Sequence, residues 1–161
     1  MNTAILVAYA QNGVIGAQGE IPWKLPSERN RFKEICKNKT IIMGRKSFEE
    51  IGHALSYCTI MIVSKTMKTA PKGCLLSSSL EQAFETLKNE KEILVAGGAE
   101  IYRQTLPYAN KIYATEIKAD FIGDTYFPLP DSSWNRKEES CHKENDTEYC
   151  YLTFTRKENQ Q

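Results

Sequence analysis

Short, nearly unbroken apolar runs recur along the chain: TAILVAYA (3–10), TIIMG (40–44), TIMIVS (59–64), CLLS (74–77), EILVAGG (92–98) and KIYATEI (111–117). Between them, apolar residues fall at helical spacing over 27–37, 46–52, 79–89 and 99–107. A strand apolar at successive positions is buried on both faces, so this alternation predicts an α/β domain with a mainly parallel sheet and helices packed on both sides. The C-terminal part departs from it. TYFPLP leads into a polar, turn-rich segment and then YCYLTFT (149–155), whose alternation predicts an antiparallel edge. The last five residues, KENQQ (157–161), read as a frayed tail. No repeat, linker or second apolar block interrupts the chain, so 1–161 is read as one domain.

Charge adds little to this picture. Lys and Arg total 21 against 20 Asp and Glu, a net +1, which offers no field for nucleic acid or an anionic membrane. Any cationic site has to be local. The five cysteines (36, 58, 74, 141, 150) are scattered without a C-x-x-C pair, and only two histidines could join them. That argues against a metal site or a disulfide framework and favours a reducing compartment. The ILVAYA run lacks a basic flank and is too short to span a bilayer. The expectation is a cytoplasmic monomer acting on a small molecule.

Chemistry enters at IPWKLPSERNRF (21–32), where Glu28 stands between a Pro-Trp-x-x-Pro segment and a helix start. Pro26 and Ser27 mark that start, and an acid in the first turn suits the positive end of the helix dipole. Yet Glu28, Phe32, Ile35 and Cys36 fall at i, i+4, i+7 and i+8, on the stripe that faces the interior. Both readings, cap and pocket acid, stay open at this point. Residues 11–25 hold three glycines directly after the first strand, which marks a long loop able to move.

Ligands of open parallel sheets bind beyond the carboxyl ends of the strands. Three of these ends are suited to anions. After TIIM come Gly44, Arg45, Lys46 and Ser47, with two cations opposing a helix dipole. After TIMIV come Ser64, Lys65 and Thr66. After EILVA come Gly97, Gly98 and Ala99, small enough for backbone N–H groups to approach a phosphate. Solvated charges and a tight turn would account for each one singly. Together they describe a dinucleotide with an extra phosphate, NADPH rather than NADH.

The ordered set NGVIG (12–16), PWKLP (22–26), IIMGRKSFEEIG (41–52), VAGGAEIY (95–102) and GDTYFP (123–128) resembles the dihydrofolate reductase family from Ala4 to about Phe154. The resemblance implies an eight-stranded, mainly parallel sheet with four flanking helices and an antiparallel C-terminal edge. It implies hydride transfer from NADPH to C6 of 7,8-dihydrofolate, with protonation at N5. By the same resemblance Glu28 is the acid of the pterin pocket, Thr115 supports it, and Trp23 and Ile21 shelter a proton-carrying water. Ile5, Val7, Ala8, Arg29, Phe32, Ile51 and Leu55 would complete the substrate side. The cofactor side would comprise Ala8, Ile15, Gly16, Ile21, Gly44, Arg45, Lys46, Ser47, Val63, Ser64, Lys65, Ala96, Gly97, Gly98, Ala99, Glu100, Ile101 and Tyr102. Asp124 would steady the loop from outside the pocket, and no metal is implied.

The pattern breaks at one position. The family's arginine that grips the folate α-carboxylate is replaced here by Cys58, while Arg29 follows the acid where apolar residues are usual. Three readings stand: a dihydrofolate reductase that holds the tail differently, a reductase of a tailless pterin or related heterocycle, and a nucleotide-binding protein without turnover. The presence of Glu28, Trp23 and Thr115 counts against the third.

Overall fold

The computed structural model describes residues 2–157. Its elements run β1 (Thr3–Ala10), β2 (Val14–Gly16), α1 (Ser27–Cys36), β3 (Thr40–Gly44), α2 (Arg45–Ile51), β4 (Thr59–Val63), β5 (Leu75–Ser77), α3 (Leu80–Thr86), β6 (Ile93–Val95), α4 (Ala99–Thr105), β7 (Lys111–Ile117), β8 (Thr125–Tyr126), β9 (Trp134–Glu144) and β10 (Thr147–Arg156). Eight strands form one sheet in the order β5-β4-β3-β6-β1-β7-β10-β9. Pairing is parallel from β5 through β7 and antiparallel at β10 and β9, as the run pattern predicts. No helix among the described residues is long and apolar enough to cross a membrane.

Alternation along β1 sorts the two faces of the sheet. Ile5, Val7 and Tyr9 join the cluster that includes Ile101, Tyr102, Leu80 and Phe127. Ala4 and Leu6 pack with Phe32, Cys36 and Phe48, while Ala8 and Ala10 pack with Trp23 and Leu25. The α1 side of the sheet is therefore lined by the even-numbered residues of β1.

Four expectations are corrected. The C-terminal edge strand is β9, with β10 one place inside it. WNRKEESCHKE carries no apolar alternation and is almost wholly exposed, so its sequence reads as a polar connection. A charged edge strand discourages pairing with other chains, which is why such a sequence can still be a strand. The segment 11–25 is not all loop, because β2 pairs with β8 in a separate two-stranded ladder. Gly123 sits against this ladder so closely that a Cβ there would lie 2.4 Å from Val14 Cγ1.

The third correction concerns the cysteines. Asn145 and Asp146 both have positive φ, the requirement of a tight type I′ hairpin, and the register they set places Cys141 opposite Cys150. These two form a disulfide, whereas Cys36, Cys58 and Cys74 are free. The pair is invisible until β9 is known to be a strand. Fourth, Lys157 is held rather than frayed: its N–H donates to the Ser133 carbonyl at 3.0 Å. Residues 158–161 of that expectation lie outside the described residues.

Candidate active site

The helix α1 starts with Pro26 as its N-cap residue, and no side chain caps it. Glu28 does not serve there. Its carboxylate turns down onto the sheet, where the Thr115 hydroxyl donates to Oε1 at 2.7 Å. Register explains the meeting. Ala8 on β1, Thr115 on β7 and Tyr151 on β10 are lateral neighbours on one face, and α1 lies across them. Ser27 binds the Tyr149 hydroxyl at 2.7 Å one row away, so the first turn of α1 is fastened to both β7 and β10.

Burial raises the proton affinity of Glu28, against the opposing pull of the Thr115 hydrogen bond and the positive charge of Arg31. An acid held in this way exchanges its proton nearer neutral pH than a surface carboxylate, which suits a group that promotes protonation of a bound base.

Ala8, Trp23 and Phe32 lie with Glu28 on the α1 side of the sheet, Ala8 as the cross-strand neighbour of Thr115. Trp23 is buried against Phe121, with ring centroids 5.5 Å apart, so it is packed as a core residue. Ile51 and Leu55 pack in the same apolar cluster as Phe32, together with Tyr57 and Cys58. Ile21 is exposed, on the loop that precedes Trp23. Ile5 and Val7 are not brought to Glu28: they point to the opposite face, among Tyr102 and Ile101. Leu6 instead occupies the α1 side of β1, packed in the cluster of Phe32. Arg29 is exposed, and among the described residues it forms no ion pair.

The cradle foreseen at the strand ends is compact. Gly44 N–H donates to the Gly97 carbonyl at 2.8 Å, which brings the starts of α2 and α4 together. Gly44 and Gly98 are the N-cap residues, and neither helix has a side-chain cap, so the first N–H groups of both remain free for a ligand. Gly97 has φ +113, and a Cβ on it would meet the Tyr102 hydroxyl at 3.2 Å and Ser47 Oγ at 3.3 Å. Tyr102 is itself fixed, donating to the Leu6 carbonyl at 2.8 Å and meeting Phe127 edge-on. Ala96 and Ala99 flank the glycines without adding bulk. Ile15 is half-buried against the same core, and Gly16 is tied into β2, where its carbonyl accepts from Asp124 N–H.

Of the cations, Lys46 and Lys65 are exposed and free of ion pairs among the described residues, whereas Arg45 is held by Glu49 at 2.8 Å. Ser64 is committed to a turn, its oxygen accepting from the N–H groups of Thr66 and Met67. Val63 is half-buried at the end of β4. Glu100 faces outward to Arg103 and Gln104, and Ile101 is buried beside Gly44, so these two shape the cradle only indirectly. Asp124 accepts from the Gln18 N–H at 3.0 Å, which pins the long loop from outside the pocket.

A free anion-binding pair of helix starts, a glycine surface that any Cβ would fill, and nearby unpaired lysines fit a phosphorylated dinucleotide.

Comparison with known proteins agrees with this geometry. A family model described as dihydrofolate reductase matches residues 2–158. The chain is 38% identical over 131 residues to a dihydrofolate reductase of Buchnera aphidicola subsp. Baizongia pistaciae, covering 81% of this chain and 80% of that protein. It is 32% identical over 158 residues to a dihydrofolate reductase of Bacillus subtilis, covering 96% and 94% respectively. It is 34% identical over 147 residues to a dihydrofolate reductase type 3 of Salmonella typhimurium, covering 91% of each. With this sheet order, this acid on its threonine and these matches along nearly its whole length, the chain belongs to the dihydrofolate reductase family.

Proposed function

We propose that this chain reduces 7,8-dihydrofolate to tetrahydrofolate with NADPH, with Glu28 as the acid of the pterin pocket. The observation that carries the reading is the Glu28 carboxylate seated on Thr115 beneath α1, with its proton affinity raised by burial. Reduction of the C6=N5 bond consumes one hydride at C6 and one proton at N5. The cofactor supplies the hydride when bound. The protein's part is to orient the pterin on Glu28 and Thr115, to favour its protonated form, and to exclude bulk water with Trp23 and the loop pinned by Asp124.

Preference for NADPH follows from the cationic strand ends. Each charge-assisted contact to the additional phosphate contributes about 1.5–3 kcal/mol. Replacing both Arg45 and Lys65 by alanine narrows the ratio of kcat/KM for NADPH over NADH by at least tenfold. Equal use of the two cofactors by the unaltered protein contradicts the assignment.

The tail of the substrate needs a partner other than Cys58, whose thiol is pushed up by burial and offers no positive charge. Lys33 is better situated than Arg29. Its ammonium lies 5.7 Å from the Tyr57 ring centroid, beside Cys58, while Arg29 stays in solvent. Lys33→Ala therefore raises KM for dihydrofolate about tenfold, with no effect on a tailless dihydropterin, and Cys58→Arg lowers it with little change in kcat. If the tailless compound is already the faster substrate and neither variant matters, the chain reduces a different pterin.

A further inference from the structure

Arg31 holds a closely defined position on the first turns of α1. Its guanidinium carbon stands 4.5 Å from the centroid of the Tyr151 ring. Tyr151 is the cross-strand neighbour of Thr115, so two parallel stacks stand side by side: Glu28 on Thr115 and Arg31 on Tyr151. Residues three apart on a helix are neighbours, with Cβ atoms about 5–6 Å from each other. Among the described residues Arg31 forms no ion pair, and the carboxylate three residues after it on α1, Glu34, is exposed.

We propose that Arg31, laid across Tyr151, is a positioning residue that sets the upper pH limit of turnover through its charge on Glu28. The inference rests on Glu28 being the acid of the pocket.

The surrounding groups leave Arg31 as the adjustable one. From β7 comes Thr115, which does not titrate, and from β1 Ala8, which carries no charge. From β10 come Tyr149 and Tyr151. Burial, and then the charge of Glu28, push the Tyr151 hydroxyl up to about 12, so it stays neutral through the working range. From β9 come His142, opposite Tyr149 on the same face and tilted against Tyr151 with ring centroids 5.2 Å apart, and Glu144, which accepts from the Ser27 N–H at 3.4 Å. On α1 itself Arg29, Lys33 and Glu34 are exposed and screened by solvent. The cation packed on the same sheet face as Glu28 is thus Arg31, and it counteracts the effect of burial.

The sign follows directly. Removing a neighbouring cation makes a carboxylate hold its proton to higher pH, and a unit charge about 6 Å away through a water-like dielectric is worth roughly half a pH unit, more where water is excluded. Turnover that needs the proton then persists further into the alkaline range.

The test uses the full chain in a His142→Gln background, which removes the imidazole on the same sheet face. The Glu28 carboxyl is titrated by carbon-13 NMR, its signal assigned by its loss in Glu28→Gln. The pH profile of single-turnover reduction is recorded in parallel. Arg31→Met is expected to raise both midpoints by about half a unit or more, and Arg31→Lys to keep both near the parent values. An unmoved Glu28 midpoint overturns the proposal, as does an equal shift in the Met and Lys variants, which would make packing the cause. A moved Glu28 midpoint with an unmoved turnover limit also overturns it. Failure of the underlying reading is distinct, since it would appear as full-rate turnover by Glu28→Gln itself.

Discussion

Glu28→Gln lowers the rate of dihydrofolate reduction at pH 7 by about two to four orders of magnitude, the range of a lost acid–base group, while leaving NADPH affinity unchanged. The amide is isosteric and still accepts the Thr115 hydrogen bond, so the helix start and the pocket shape survive. What is lost is the negative charge that favours a protonated pterin. The deficit narrows at low pH, where solvent can protonate the substrate. Stability moves the other way. Folding raises the proton affinity of Glu28, so the folded state binds more protons than the unfolded one. Its contribution to stability therefore falls as pH climbs from the ordinary carboxyl range through the raised midpoint. Glutamine escapes that loss, and the variant melts a few degrees higher at pH 8, with the difference vanishing near pH 4. A helix-capping acid would give the reverse, a lower melting temperature at neutral pH and normal turnover.

The second large effect is expected at Gly97. Alanine there must adopt φ +113 and places its Cβ 3.2 Å from the Tyr102 hydroxyl and 3.3 Å from Ser47 Oγ. The backbone conformation alone costs about 1–3 kcal/mol for a residue with a side chain. Displacing the Tyr102 hydroxyl from the Leu6 carbonyl strands a buried donor and acceptor for about 1–3 kcal/mol more. Gly97→Ala thus loses about 2–6 kcal/mol of stability, measured by urea denaturation, and its affinity for NADPH falls by at least tenfold because the phosphate cradle is filled. Alanine at Gly98 instead meets only Ser47 Oγ, a side chain free to turn, and is expected to cost less stability than at Gly97.

Strand after strand of the parallel half was legible because β1, β3, β4, β6 and β7 are buried on both faces and so are written as apolar runs. The polar β9 was not, since an edge strand with exposed side chains has no pattern to distinguish it from a connection, and Cys141–Cys150 was lost with it. At the site, Glu28 announced itself as a carboxylate on an apolar helical stripe. The roles of Arg31 and Tyr151 could not be read the same way, because they depend on β10 lying beside β7 in a register that places Tyr151 next to Thr115. Ile5 and Val7 were assigned to the pocket, but strand alternation sends them to the far face and leaves Leu6 and Ala8 on the near one. Ser64 is expected to contact a phosphate, and the turn that its oxygen closes by accepting from Thr66 and Met67 leaves its O–H as the group to donate.

The most direct measurement follows NADPH absorbance with dihydrofolate and a tailless dihydropterin supplied side by side to the purified chain and to its Glu28→Gln variant. The account predicts dihydrofolate-dependent oxidation of NADPH, a higher kcat/KM for dihydrofolate than for the tailless compound, and collapse of both rates in the variant. Oxidation that ignores dihydrofolate, or that proceeds at full rate without the Glu28 carboxylate, would contradict it.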